Sequence, residues 1–522
     1  MKNFIQIVRL LDGYKLRNID VLGNDDSKSR FTEFYRLIKD GTFQTDEDAA
    51  KHFYGVKAKP SNPKYRFFKS QFKDRLFNTL LFTYNENDQP DDFGKVVYDC
   101  IREWTSIEIL FRRNISYTAI KYAERLLTIC LKYEITDLTV RILERLKGIY
   151  ATLIGDKKKY QEYKEKFYYY KEILEAEYLA KEAFQELRIE YVKSIAYRPE
   201  NSILAEEAFK TLKPLLDKYN SPNLLHFVNC VEISIYQTKR DHQGVIDVCD
   251  KAIDTLKQKP FGLINAISIY QNQKVIALLM LQRFEECKIA LTEALTMQVQ
   301  GHFNWYKTME SKMLLAFHTQ AYTEGYETYL QVKNTKQFKD LEGHNAEIWV
   351  IYKAYLYLST SLNKMPTVDK NDKKAFGSFR LTKYLNDIPV SSGDKKGMNV
   401  TVLVSQIALM IVEKMYDLLI DRIETIEKYL MRHVPKSDAA GYRANQFIKV
   451  LLEIPKSGFN RIVLERSTRA LIADIASVPY NIVEAGYKFE VMPYPVLWGE
   501  LLQCFGVQTL DIAQFKKIAA VA

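Results

Sequence analysis

The chain has 522 residues, more than one ordinary globular domain holds unless the fold grows by stacking repeats. Hydrophobic residues make up 47% of it, enough for a continuous core, whereas 20 glycines and 14 prolines supply few of the turns that an all-β fold needs. The formal net charge of +10 comes from 75 basic and 65 acidic residues mixed along the chain, so it permits but does not require contact with nucleic acid.

The first residues do not have the pattern of an exported or membrane-inserted segment. The amphipathic stretch that starts at Met1 is interrupted by Asp12 and Gly13, which is too early for a signal peptide or a transmembrane helix. Six widely spaced cysteines without a CxxC motif indicate reduced, buried thiols. We therefore expect a cytoplasmic protein that does not associate with a membrane.

Three short helices are predicted in a first module, residues 1–88. The first covers Arg30–Lys39, and the second begins at Thr45, where Thr45 and Asp48 resemble a capping box. A longer third helix begins at Pro63, since proline suits the first helical turn. The polar segment Asn85–Asp92 then marks a predicted boundary.

The third helix carries a basic cluster. Arg66, Lys69 and Lys73 have the spacing i, i+3, i+7 and share a face. Lys64 extends this cluster, and the apolar face is formed by Phe67, Phe68, Phe72 and Leu76. Three helices ending in a basic one have the outline of a helix-turn-helix module that contacts DNA or RNA. The alternative is an ordinary solvated helix face.

From residue 93 to 362 the pattern is helix after helix, which predicts an α-solenoid of antiparallel pairs. First helices start near Ser221, Pro260, Gly301 and Glu342, about forty residues apart, and second helices start near Asp241, Gln282 and Tyr322. Such a pair cannot bury its apolar face alone, so it must stack on its neighbours. The segment Lys157–Ala196 lacks glycine and proline, and it is either one long helix or two.

The segments IYQTKRDHQGVIDVCDKAIDTL and LMLQRFEECKIALTEALTM resemble the tetratricopeptide repeat (TPR) pattern around its inter-helix turn. Ala252, Ala290 and Ala294 are the small residues that let neighbouring helices approach closely. The period is nearer to forty than to the roughly 34 residues of that repeat, so the predicted units are TPR-like.

A third region, residues 375–522, is also predicted to be helical. Helical periodicity covers Val400–Leu419, Asp421–His433, Ala440–Leu452, Asn460–Ser477 and a final segment, Leu510–Ala520. We expect FEVMPYPVLW, residues 489–498, not to form a regular helix, because it holds two prolines.

Several stretches of the chain are similar to uncharacterised bacterial TPR-like helical-repeat proteins. They are YRFFKSQFKDRLFNTLLF near the start and RLTKYLNDIPVSSGDKKGMNV, IDRIETIEKYLMRHV, YRANQFIKVLLEIP and FEVMPYPVLW in the C-terminal third. The chain departs from that set at Gly393 and Gln446. The resemblance implies an all-helical fold and brings no catalytic activity with it.

A second charged cluster and a group of aromatic residues are candidates for partner binding. The charged residues are Arg422, Lys428, Arg443 and Lys449, which either form ion pairs between adjacent helices or meet an acidic partner. Trp305 and Tyr306 are candidate anchors for a partner, because aromatic residues dominate binding hot spots.

Catalytic and cofactor motifs are missing from the sequence. It contains no phosphate-binding GxxxxGK[ST] or GxGxxG loop, no HExxH zinc motif and no GxSxG elbow. The turn DKKGMN, residues 394–399, either holds an anion weakly or is a plain loop. We therefore expect no cofactor or metal and a non-catalytic scaffold for a protein or peptide. The alternatives are a nucleic-acid-associated regulator and an enzyme without a recognisable motif.

Overall fold

The computed structural model describes residues 1, 4–5, 8, 29–80, 93–194, 199–365, 384, 398–420, 422–423, 439–478 and 490–507. All secondary-structure elements in those ranges are helices, which confirms the predicted all-α class. The chain divides into two compact units, Met1–Tyr133 and Glu134–Ala522.

The first unit contains five described helices. They are α1 (Arg30–Lys39), α2 (Asp46–Tyr54), α3 (Pro63–Leu80), α4 (Phe93–Arg112) and α5 (Ser116–Lys132). The predicted bounds of α1 and the starts of α2 and α3 are confirmed. Local chemistry explains them, because the Ser29 side chain caps α1 and Thr45 and Asp48 form the full capping box of α2.

A phenylalanine-rich core joins the first three helices. The rings of Phe34 on α1 and Phe72 on α3 have centroids 4.6 Å apart, and Phe68 and Leu76 fill the same core. Phe67 was expected on the apolar face of α3, but its side chain is 67% exposed. The face of α3 that packs into the core is therefore narrower than predicted, because it does not include Phe67.

Within its described residues, the second unit contains one α-helix of 38 residues and others of 9 to 20 residues. Its described helices are α6 (Thr136–Ile149), α7 (Lys157–Ser194), α8 (Pro199–Lys218), α9 (Pro222–Lys239), α10 (His242–Lys257), α11 (Ile264–Met280), α12 (Phe284–Thr296), α13 (Phe303–His318), α14 (Tyr322–Lys333), α15 (His344–Ser361), α16 (Met398–Val412), α17 (Ala439–Lys456), α18 (Arg461–Ser477) and α19 (Tyr494–Leu502). The segment from Lys157 to Ser194 is thus one helix. From α6 to α16, each described helix packs against the next described one.

Helix α19 corrects part of the expectation for residues 489–498, because residues 494–498 are helical whereas residues 490–493 are not. Pro493 caps the helix and Pro495 lies in its first turn, where a missing backbone N–H breaks no intrahelical hydrogen bond. The prolines therefore mark the start of a helix instead of preventing one.

The same turn follows many of the helices. A residue that is not glycine takes a left-handed conformation, with φ between 57° and 61°, after α4, α9, α11, α13, α15 and α16. The next backbone N–H then bonds to the carbonyl oxygen five residues earlier, as in Ala321 to Ala316 at 2.8 Å and Asp241 to Tyr236 at 2.9 Å. This is the 6→1 bond of a Schellman motif.

Small residues bring neighbouring helices together where the repeats were predicted. Ala252, Ala290 and Ala294 are buried, as expected. Gly244 on α10 lies so close to α9 that a Cβ atom there would overlap the ring of Tyr236. Four predictions lie wholly or mostly outside the described residues: the Asn85–Asp92 linker, the DKKGMN turn, the Asp421–His433 helix and the Leu510–Ala520 helix.

Candidate functional site

A cleft of about 590 Å³ opens beside the first turns of α3 in the N-terminal unit. Phe4, Pro60 and Tyr65 form its apolar wall. Its polar lining consists of two hydroxyls, one carboxylate and three cations, from Ser61, Ser70, Asp46, Arg66, Lys69 and Lys73. Because α3 places its residues at i, i+3 and i+7 on one side, the three predicted cations do lie together.

Asp46, the first residue of α2, is fixed at one side of this cleft. Its carboxylate lies 2.7 Å from the Lys69 Nζ and 3.0 Å from the Met1 amino group, and it accepts a hydrogen bond of 2.7 Å from the Tyr65 hydroxyl. Burial acts to raise the pKa of Asp46, but these hydrogen bonds outweigh it and lower the pKa to about 2. The carboxylate therefore stays ionised at any ordinary pH.

This pairing changes the predicted role of Lys69. The Lys69 ammonium is half-buried and neutralises Asp46, and it lies 5.2 Å from the centre of the Phe4 ring. It therefore helps to hold the cleft in shape and is not a free surface cation. Sequence spacing missed this contact, because Asp46 lies more than twenty residues away and appears in the sequence only as part of a helix start.

Arg66 and Lys73 are the accessible cations of the cleft. Both are exposed, and no acidic side chain within the described ranges pairs with either of them. The Lys73 ammonium lies 5.5 Å from the centre of the Phe77 ring, on its own helix. Lys64 is exposed on the same helix but does not line the cleft.

Arg443, a predicted partner-binding residue, is 3% exposed and belongs to the core. Its guanidinium donates two hydrogen bonds of 2.9 Å to the Glu490 carboxylate and others to the carbonyl oxygens of Ile475 and Val478. His318 Nε2 lies 2.7 Å from the Glu490 carbonyl oxygen, which only accepts, so Nε2 carries the proton. Burial lowers the pKa of His318 to about 4. This network joins four segments, and it favours the ion-pair alternative for Arg443 over contact with a partner.

Two of the other charged candidates are more exposed than Arg443. Arg422 is half-buried, and burial lowers the pKa of its guanidinium. Lys449 is exposed on α17, and Lys428 lies outside the described residues.

Trp305 and Tyr306, the candidate anchors, are buried at 3% and 4% exposure. The Tyr306 hydroxyl lies 2.6 Å from the Thr335 hydroxyl, which satisfies its polar end inside the packing. The expectation that these rings contact a partner is therefore corrected. Large rings between packed helices fill the gaps there, and once buried they are not available to a partner.

Nothing in the described part of the chain forms a metal centre, since no group of three His, Cys, Asp or Glu residues lies close enough together there. Within the same ranges, no helix is both long and apolar enough to cross a membrane. No protein-family model, curated protein or solved structure matches the chain.

Proposed function

We propose that the chain is a non-catalytic adaptor that binds a protein or peptide partner on a TPR-like stack of helix pairs in residues 222–361. One observation carries this proposal: the left-handed turn recurs after α9, α11, α13 and α15, at Arg240, Gln282, Gln320 and Asn363. These positions are about forty residues apart, the period expected for a two-helix repeat.

The recurring turn supports a stack for a geometric reason. Connections this short make the two helices that they join antiparallel, so the repeated turn gives the pairs α9–α10, α11–α12 and α13–α14 the same internal arrangement. Each pair also packs against the next, through α10 with α11 and α12 with α13. Stacked pairs form a curved scaffold whose long surface suits an extended or helical partner. The repeats also keep large apolar side chains on the outside, with Ile289 on α12 62% exposed and Phe303 on α13 63% exposed.

The test uses these two exposed side chains. The full-length protein and its Ile289→Glu and Phe303→Glu variants are isolated with bound partners after chemical cross-linking in cells that express the chain. We expect a partner cross-linked to residues 222–361 that either substitution removes, because a charge placed in an apolar contact must be desolvated. Melting temperatures should stay unchanged, since both positions are exposed.

Thr128→Glu is the matched control, because Thr128 is exposed on α5, outside residues 222–361, and its hydroxyl bonds to the carbonyl oxygen of Glu124. It should retain the partner. Recovery of the same partner with all three variants, or of none with the unaltered chain, would exclude binding on this surface.

A further inference from the structure

We propose that the cleft beside α3 binds the phosphate group of a ligand, an activity separate from partner binding on the repeats. It combines exposed cations, hydroxyl donors and an apolar wall, all from residues 1–80.

The charge of the cleft favours an anion. The Lys69–Asp46 contact at 2.7 Å is neutral as a pair, so the remaining charges in the lining, those of Arg66 and Lys73, are both positive. They lie two turns apart on α3, with Ser70 between them. A guanidinium and an ammonium on either side of a hydroxyl match the oxygens of a phosphate, and arginine can bind two of those oxygens at once.

The shape of the cleft favours a phosphate that is attached to a compact organic group. Its volume of about 590 Å³ lies within the range of small-molecule sites. Phe4, Pro60 and Tyr65 offer an apolar surface beside the cations. This surface can contact a planar base or another apolar group while Arg66 and Lys73 hold the phosphate.

The cleft is held in shape before a ligand binds. Tyr65 is buried, and its hydroxyl donates to the same carboxylate that Lys69 pairs with. Because these three side chains already satisfy one another, an anion does not have to break an ion pair to reach Arg66 and Lys73.

The experiment is titration calorimetry of the full-length protein at about 50 mM salt, where phosphate contacts are strongest. The probes are inorganic phosphate, pyrophosphate, AMP and a twelve-nucleotide single-stranded RNA. We expect saturable binding of a phosphate-bearing probe, and at least about tenfold weaker binding for Arg66→Ala and for Lys73→Ala, because each removes a charge-assisted contact. Both residues are exposed, so both variants should fold normally.

Lys64→Ala is the matched control, since it removes an exposed cation from the same helix but outside the cleft. It should bind like the unaltered protein. AMP or pyrophosphate binding with this pattern assigns the cleft to a free ligand, and RNA binding alone with the same pattern assigns it to a nucleic-acid backbone. Absence of binding by every probe, or equal losses in all three variants, would overturn the proposal whatever the repeats bind.

Discussion

Arg443 and Glu490 form the most deeply buried ion pair that the structure describes, with side chains 4% and 6% exposed. Two parallel hydrogen bonds and the extra carbonyl acceptors satisfy the guanidinium, and the Tyr494 backbone N–H donates to the carboxylate. Burial acts to raise the pKa of Glu490, and the Arg443 charge opposes this. Removal of either partner leaves a buried charge without compensation.

We therefore predict that Arg443→Ala lowers the free energy of unfolding by about 3–5 kcal/mol, as for other broken buried pairs. Arg443→Lys should recover only part of the loss, because an ammonium cannot form the paired hydrogen bonds of a guanidinium. Urea unfolding followed by circular dichroism measures both. Lys449→Ala, exposed on the same helix, should stay within about 0.5 kcal/mol of the unaltered protein. A loss of that small size for Arg443→Ala would contradict the buried network.

Glu177 is a second buried carboxylate, in the middle of α7. It accepts hydrogen bonds from the Thr136 hydroxyl at 2.6 Å and the Ser221 hydroxyl at 2.5 Å, and Asn223 donates to its other oxygen. Thr136 begins α6 and Ser221 caps α9, so this one side chain connects the starts of two helices to α7.

The ionisation of Glu177 predicts a pH dependence of stability. Burial raises its pKa more than the hydrogen bonds from Ser221, Thr136 and Asn223 lower it. A raised pKa means that the folded state binds the proton more tightly. The stabilisation from Glu177 is thus complete below the pKa of an unfolded glutamate and is lost as the pH rises through the folded pKa.

Glu177→Gln retains an oxygen for the two hydroxyls but cannot ionise. We therefore expect this variant to gain stability relative to the unaltered protein between pH 4 and pH 8, as measured by urea unfolding at each pH. Glu177→Ala should lose about 1–3 kcal/mol for each buried hydroxyl left without an acceptor. A stability difference between Glu177→Gln and the unaltered protein that is constant with pH would show that Glu177 does not titrate in this way.

At the level of elements, the recurring turn is built without glycine. Its left-handed residues include Asn114, Arg240, Gln282, Gln320 and Lys414. Glycine and asparagine are the usual sequence signals for this conformation, so most of these turns give no local signal. Periodicity located the helices on either side, whereas the turn geometry depends on the packing of the helices that it joins.

These residues carry a conformational cost that glycine avoids. We predict that Gln320→Gly raises the free energy of unfolding by roughly 0.5–1 kcal/mol, because side chains are disfavoured in the left-handed region. Lys251→Gly, at an exposed position inside α10, should lower it by about 1 kcal/mol. Both are measured by chemical denaturation. A similar loss at both positions would show that Gln320 makes a contact that outweighs the strain.

Across the whole molecule, the sequence best predicted the features that depend on residues only a few positions apart in the chain. Helix starts at Ser29, Thr45 and Pro63 follow from side chains within a few residues of each cap. Contacts between distant segments were not predictable in this way. Arg443 meets Glu490 across 47 positions and Lys69 meets Asp46 across more than twenty, and no pattern in one sequence selects those partners.

The aromatic residues show the same limit. A single sequence could not tell a core ring from an exposed one. Trp305 and Tyr306 lie in the interior, whereas the adjacent Phe303 is exposed. Whether a ring is buried or exposed depends on which neighbouring helix covers that face of its own helix.

The packing of the second unit also predicts how its thiols react. Burial raises the pKa of Cys230 and Cys287 to about 12 and raises that of Cys249 as well. At pH 8 we expect iodoacetamide to leave these three unmodified in the native protein and to label all of them in urea, as read by peptide mass spectrometry. Rapid labelling of any of them without denaturant would show that α9–α12 open more readily than their packing indicates.

The unbroken length of α7 makes the fold sensitive to inserted or deleted residues within this helix. Ile173, Ala176, Ala180 and Leu187 face α8 and α9 from this helix, which extends about 57 Å at 1.5 Å per residue. One inserted residue before Ile173 would turn one part of the helix by about 100° relative to the other, and no adjacent loop could absorb the rotation. Insertions and deletions should therefore be rare within α7.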